Sequence, residues 1–171
     1  MGELSLSGNC GYLTVRQLHQ ANMLPSDDRV AQRAVAVIEC LEEIPCNPCE
    51  TSCPHGCIKI GDNINDLPIL DKTKCTGCGL CVAKCPGLAI FIEDASIGGE
   101  QALVSFPYEY WPLPEKGQEV TCCDRQGIPV CVGTIEKVVS TEKYDKTAVV
   151  TTRIPLKHIH DVRSIDKDLE A

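Results

Sequence analysis

The apolar and polar positions of the chain divide it into a helical start, a loop-rich middle and a strand-rich end. Val15, Leu18 and Met23 share one helical face, Thr14 is placed to cap it and Pro25-Ser26 to stop it, predicting a short helix over Thr14 to Met23. Residues 27–44 satisfy two periods. Val30, Ala34, Val37, Ile38 and Leu41 fit a helical face, whereas Ala34-Val-Ala-Val-Ile38 also reads as a short strand. A helical turn near 27–33 followed by that strand is the favoured reading. Further on, Ile58-Lys-Ile60, a turn at Gly61-Asp62-Asn63 and Leu67-Pro-Ile-Leu70 predict a hairpin, and Ala89-Ile-Phe-Ile92 a further strand.

After a connection at 95–101 the pattern changes. Apolar runs at 102–106, 119–122, 130–139, 147–154 and 162–165 alternate with turn-formers at Pro112 to Gly117, Asp124-Arg-Gln-Gly127 and Glu142 to Lys146. Five short strands of this kind predict a small barrel or sandwich. Tyr108-Glu-Tyr110-Trp111-Pro112 is the one aromatic cluster, expected as a core piece or barrel lid, with an interface anchor as the alternative.

Composition sharpens this picture. The chain is 43% hydrophobic but 4% aromatic, so its core is aliphatic, and it carries thirteen cysteines in 171 residues. A formal net charge of −8 argues against a nucleic-acid partner and suits docking on positively charged surfaces. No apolar run approaches the ~18 residues of a membrane span. Neither a secretory leader nor a myristoylation signal is read at the start, so the expectation is a cytoplasmic protein, in which crowded cysteines serve metal or redox chemistry rather than disulfides.

The cysteines are ordered. Cys75-Thr-Gly-Cys78-Gly-Leu-Cys81-Val-Ala-Lys-Cys85-Pro86 is an unbroken C-x2-C-x2-C-x3-C-P run. Thiolates two residues apart on a tight turn can converge on neighbouring irons of one cluster, Gly77 and Gly79 let the backbone wrap closely, and amide N–H groups of such a turn can point at the sulfurs. A structural zinc site fits less well, since it uses two CxxC pairs or a Cys/His mix. A second copy lies 32 residues upstream, in Cys46-Asn-Pro-Cys49-Glu-Thr-Ser-Cys53-Pro54-His-Gly-Cys57-Ile58. Aligned on Cys-Pro, Cys53 matches Cys85, Cys49 matches Cys81 and Cys46 matches Cys78. Glu43 stands where Cys75 would be matched, and Cys57 falls opposite Ala89.

Residues 34–94 thereby resemble a two-cluster bacterial-type ferredoxin domain. The resemblance implies two [4Fe-4S] clusters and an α+β fold: a pseudo-symmetric ferredoxin-like domain followed by the small all-β barrel-like domain. It implies that Cys75, Cys78, Cys81 and Cys53 hold one cluster, and Cys46, Cys49 and Cys85 the other. For the fourth ligand of the second cluster Cys57 is the first candidate, Cys40 the second and Glu43, through oxygen, the third; a [3Fe-4S] cluster or an empty site are the remaining readings. More weakly, Glu43-Ile-Pro-Cys-Asn-Pro-Cys-Glu50 and the C-terminal part resemble the small iron–sulfur subunit of anaerobic flavin-dependent amino-acid or amine dehydrogenase complexes.

These resemblances imply a non-catalytic subunit that relays single electrons from a flavoprotein subunit to an acceptor within a hetero-oligomeric complex. Its parts would be an N-terminal helical extension (1–33), the 4Fe-4S domain (34–94) and a β-rich docking domain (102–166). The alternatives are a free soluble ferredoxin serving several partners and a thiol-based redox sensor using Cys57, Cys122 and Cys123. No substrate-activating triad, phosphate loop or flavin fingerprint is present to suggest catalysis. Cys10 is a lone thiol without an assigned role; Cys122, Cys123 and Cys131 are expected to be structural; and His158 and His160 alternate on a strand-like stretch without further ligands.

Overall fold

The computed structural model describes residues 11–167; Cys10 lies outside them. Helix α1 (Val15–Gln20) begins with a reciprocal cap. The Thr14 hydroxyl accepts from the Gln17 amide at 3.3 Å, and the Gln17 side chain accepts from the Thr14 amide at 2.9 Å. Leu18 then packs with Leu13, Leu24 and Val37 into a small core of its own. Helix α2 (Asp27–Gln32) is capped by Ser26 and ends where Arg33 becomes extended, so the chain enters β1 (Val35–Ile38) with all four strand residues buried. The two periods of residues 27–44 thus belong to two successive elements.

The middle of the chain is built from minimal pieces: α3 (Pro48–Thr51), β2 (Ile58–Lys59), β3 (Ile69–Leu70), α4 (Leu80–Lys84) and β4 (Ile90–Asp94). Strands β2 and β3 form the expected antiparallel hairpin, Ile58 opposite Leu70. Longer strands follow: β5 (Gln101–Tyr108), β6 (Glu119–Cys123), β7 (Pro129–Val139), β8 (Ala148–Pro155) and the short β9 (Ser164–Ile165). Along β5 the inward positions Ala102, Val104, Phe106 and Tyr108 are buried, the period of two expected for a strand with one face on a core.

The fold is α+β and mostly sheet. Seven strands form one sheet in the order β1-β4-β5-β8-β7-β6-β9. Among the described residues this sheet is open rather than a closed barrel. The reason is that β5 pairs with β8 on one side and with β4 on the other, so the strand-rich half continues into the cysteine-rich half instead of returning on itself. The aromatic cluster is split: Tyr108 is in the core, whereas Tyr110 and Trp111 are exposed. His158 and His160 lie on a 3-10 turn (Leu156–His158) and the loop after it, not on a strand.

A buried ion cluster joins the halves. Arg163 donates to Glu39 at 2.7 Å and to Glu93 at 2.8 Å, and its guanidinium lies 4.8 Å from the centre of the Phe91 ring. Arg125 donates twice to Glu39, at 2.7 and 2.6 Å. His160 Nδ1 approaches the second oxygen of Glu93 at 3.0 Å. Every side chain of this group is largely removed from water, so each charge depends on its partners.

Candidate metal centres

The loop carrying Cys75, Cys78 and Cys81 needs left-handed backbone at Gly77 (φ +65°) and Gly79 (φ +81°). At Gly77 a side chain would also meet Ala34, whose carbonyl carbon lies 2.8 Å from the place of a Cβ. Arg29, from α2, clamps the approach to this loop. It donates to the carbonyls of Lys72 and Cys75 at 2.7 Å each and to that of Arg33 at 2.6 Å. The Cys75 sulfur accepts from the amide of Ala36 in β1 at 3.3 Å. Across the gap, His55 Nε2 and Thr76 Oγ1 are 2.9 Å apart and tie the first cysteine loop to the second. Cys75, Cys78 and Cys81 line one pocket with Cys53, Cys57, Ile58 and Ile92.

The other loop makes a second pocket, lined by Cys40, Cys46, Cys49 and Cys85 between Ile38, Ile60 and Ile90. Cys40 reaches it because β1 ends at Ile38 and the Glu39 amide donates to the Ala89 carbonyl at 2.8 Å, fixing the strand's exit. The Cys85 sulfur accepts from the Ala89 amide at 3.5 Å. Each pocket therefore mixes cysteines from both copies of the repeat: Cys53 crosses to the second loop's thiols and Cys85 to the first loop's.

Cys57 does not stand with Cys46, Cys49 and Cys85, where it was the first candidate. Gly56 (φ +58°) turns the chain back, and Cys57 Sγ ends 3.2 Å from Cys53 Sγ in the other pocket. The thiol that accompanies Cys46, Cys49 and Cys85 is Cys40. Glu42, rather than Glu43, is the glutamate on that wall. The signal for Cys40 was present, since it lies three residues before the position aligned with Cys75; an insertion of that length restores the leading thiol.

Burial dominates the thiol electrostatics. It pushes Cys49 up to about 11 and Cys57 up to about 12, and raises Cys81 further. At Cys53 burial also acts upward, but hydrogen bonds from the Cys57 thiol and from the backbone of Cys57, His55 and Ile58 outweigh it and hold the group below an ordinary thiol. Buried thiols of this kind become thiolates when positive metal arrives with them. Among the described residues, no three His, Cys, Asp or Glu side chains gather closely enough to hold a single ion. An all-sulfur donor set spread around an apolar space, with amides aimed at Cys53, Cys75 and Cys85, suits an iron–sulfur cluster.

Comparison with known proteins supports cluster binding. Residues 68–91 match the 4Fe-4S binding domain. Parts of the chain are also similar to curated proteins. The chain is 41% identical over 58 residues to a component of the ion-translocating oxidoreductase complex of Methanosarcina acetivorans, covering 34% of this chain and 20% of that protein. It is 45% identical over 47 residues to an uncharacterized ferredoxin of Methanocaldococcus jannaschii (28% and 29%). It is 39% identical over 57 residues to a component of the F(420)H(2) dehydrogenase of Methanosarcina mazei (33% and 32%). The chain thus spans a third or less of the length of these relatives. No solved structure matches.

The 4Fe-4S segment has neighbours that sequence reading missed. Arg29 shows in the sequence only as one more charge on a helix, and its role as a loop clamp comes from the fold. Of the remaining cysteines, Cys122 and Cys131 are directly opposed on β6 and β7 and hydrogen-bonded through their thiols. Burial raises both. His158 pairs with Asp161 at 3.1 Å. No helix among the described residues is long and apolar enough to cross a membrane.

Proposed function

We propose that the chain is an electron-transfer subunit that holds two [4Fe-4S] clusters, one with Cys53, Cys75, Cys78 and Cys81 and one with Cys40, Cys46, Cys49 and Cys85. The observation that carries this reading is the crossing of Cys53 and Cys85 between two thiol-lined pockets. When bound, each cluster takes up and returns one electron at a time. The chain's own residues bind, exclude water and tune. Ile58 and Ile92 at one pocket and Ile38, Ile60 and Ile90 at the other keep both dry. Amides of Ala36 and Ala89 stabilise negative charge on Cys75 and Cys85.

The element order supports the pseudo-symmetric reading of this half. Strand, thiol loop, short helix and strand occur twice, as β1-α3-β2 and β3-α4-β4. The relatives named as parts of oxidoreductases support a place within a complex. Its electron donor is a flavoprotein subunit, following the weaker resemblance carried by Glu43 to Glu50, and residues 102–166 serve to dock there. The acidic surface and dry pockets favour low potentials and a cytoplasmic, anaerobic setting.

Anaerobic purification with iron and sulfide analysis, plus EPR of the reduced chain, tests this. About eight irons per chain support two cubes. About four irons, lost on Cys78→Ala but unaffected by Cys40→Ala, would leave the second pocket without a cluster. A colourless protein with zinc at Cys75 to Cys85 would end the reading.

A further inference from the structure

The pocket of Cys75, Cys78 and Cys81 has one thiol more than a four-iron cluster has corners. Cys53 and Cys57 both line it, with sulfurs 3.2 Å apart and Cys57 3% exposed. The pair is not a disulfide, whose sulfurs are ~2.05 Å apart, and both cysteines are free. Nor does packing require sulfur at position 57. In the second copy of the repeat the matching place is filled by Ala89, and the pocket beside it has four thiols, not five.

The backbone explains how both sulfurs reach one place. Pro54-His55-Gly56 is a tight turn closed by the Gly56 amide on the Cys53 carbonyl at 3.2 Å, and Gly56 is left-handed. Cys53 and Cys57 therefore hang from the two ends of one turn and enter from the same wall. Cys75, Cys78 and Cys81 approach from the facing loop. The wall that supplies one thiol in the ferredoxin pattern here carries two.

We propose that Cys53 and Cys57 are interchangeable donors to the same corner of the cluster held by Cys75, Cys78 and Cys81. The proposal rests on the reading above that this pocket holds a four-iron cluster. One of the two sulfurs binds as thiolate while the other remains a thiol hydrogen-bonded to it. Exchange needs no outside reactant. The incoming thiol gives up its proton, the departing thiolate takes it across the 3.2 Å gap, and the iron keeps its oxidation state. The pocket thus retains its fourth iron after loss of either thiol.

The test uses the full chain, reconstituted anaerobically with iron and sulfide, comparing Cys53→Ala with the double variant Cys53→Ala, Cys57→Ala. The expected result is unchanged iron in the single variant with a shifted EPR spectrum of the reduced cluster. The double variant loses one of about four irons at this pocket and shows the EPR signal of an oxidised three-iron cluster. Equal loss in the single and double variants overturns the interchange. Should Cys53→Ala fail to fold, the non-ligating Cys53→Val with and without Cys57→Ala makes the same comparison; iron lost only when Cys57 goes supports the proposal, and equal iron in both overturns it. An unsubstituted chain that takes up no iron would instead defeat the underlying reading of the pocket.

Discussion

The two halves of the seven-stranded sheet are ordered by different means. In the cysteine-rich half, β1 to β4, no element exceeds six residues, and β2 and β3 have two residues each. In the strand-rich half, β5 and β8 pair over eight positions and β7 runs for eleven residues. Long ladders with a buried face are stable through backbone pairing and apolar burial. Two-residue strands and single-turn helices are not. The contrast teaches that the cysteine-rich half takes its order from what crosses it: the cysteines that pass between its two pockets, the Arg29 clamp and the sheet it shares with the other half.

The largest effect should come from removing iron. Anaerobic chelation is expected to abolish amide hydrogen-exchange protection around residues 40–87 while β5, β7 and β8 stay protected. Uniform loss across both halves would break the contrast. Next is the ion cluster at the junction. Arg163→Ala leaves Glu93 buried and short of a partner, and should cost about 3–5 kcal/mol in denaturant unfolding. A cost below ~1 kcal/mol would show that Arg163 contributes little to joining the halves.

Gly77→Ala is expected to cost about 1–3 kcal/mol, because the left-handed backbone there is strained for alanine. The Ala34 contact should add to this, and iron uptake should fall. The equivalent test in the strand-rich half is Gly127→Ala, which is strained by φ alone and has open space around it; it should leave iron uptake intact.

The smallest effect concerns acid. Asp71 is held down to about 2 by hydrogen bonds from Thr73 and Lys74, and Glu136 is held below an ordinary carboxylate by Arg153. A depressed value means that each contribution is present above the unfolded carboxylate's value and disappears as pH falls through the folded one. Both side chains keep about a third of their surface in water, so the signature is a local NMR titration, with the Asp71 midpoint near 2, rather than a shift in unfolding. Asp71 titrating at the ordinary 3.8 would show that its loop is not held as described.

Local patterns were legible in the chain, while long-range placement was not. The cap at Thr14, the hairpin at 58–70 and the five strands after residue 100 all follow from short-range periodicity and turn chemistry. The side taken by Cys57 did not follow, because it depends on a left-handed turn at Gly56 that one glycine in sequence does not announce. The open sheet was hidden for a related reason. Whether β5 closes onto its own half or pairs with β4 is a choice between two partners of equal local quality. Glu39, Glu93, Arg125 and Arg163 are spread over 125 positions of chain, and only the fold makes them neighbours.

The pairing of Ile92, Glu93 and Asp94 with Ser105, Val104 and Leu103 gives the chain the character of a fixed spacer. Backbone bonds across that seam forbid a hinge between the thiol pockets and the strands beyond. Electron tunnelling weakens steeply with separation, so a redox protein gripping the strand-rich end would stand at one set distance from the thiol pockets. A single binding event would then set the rate of transfer, with no swinging arm to wait for.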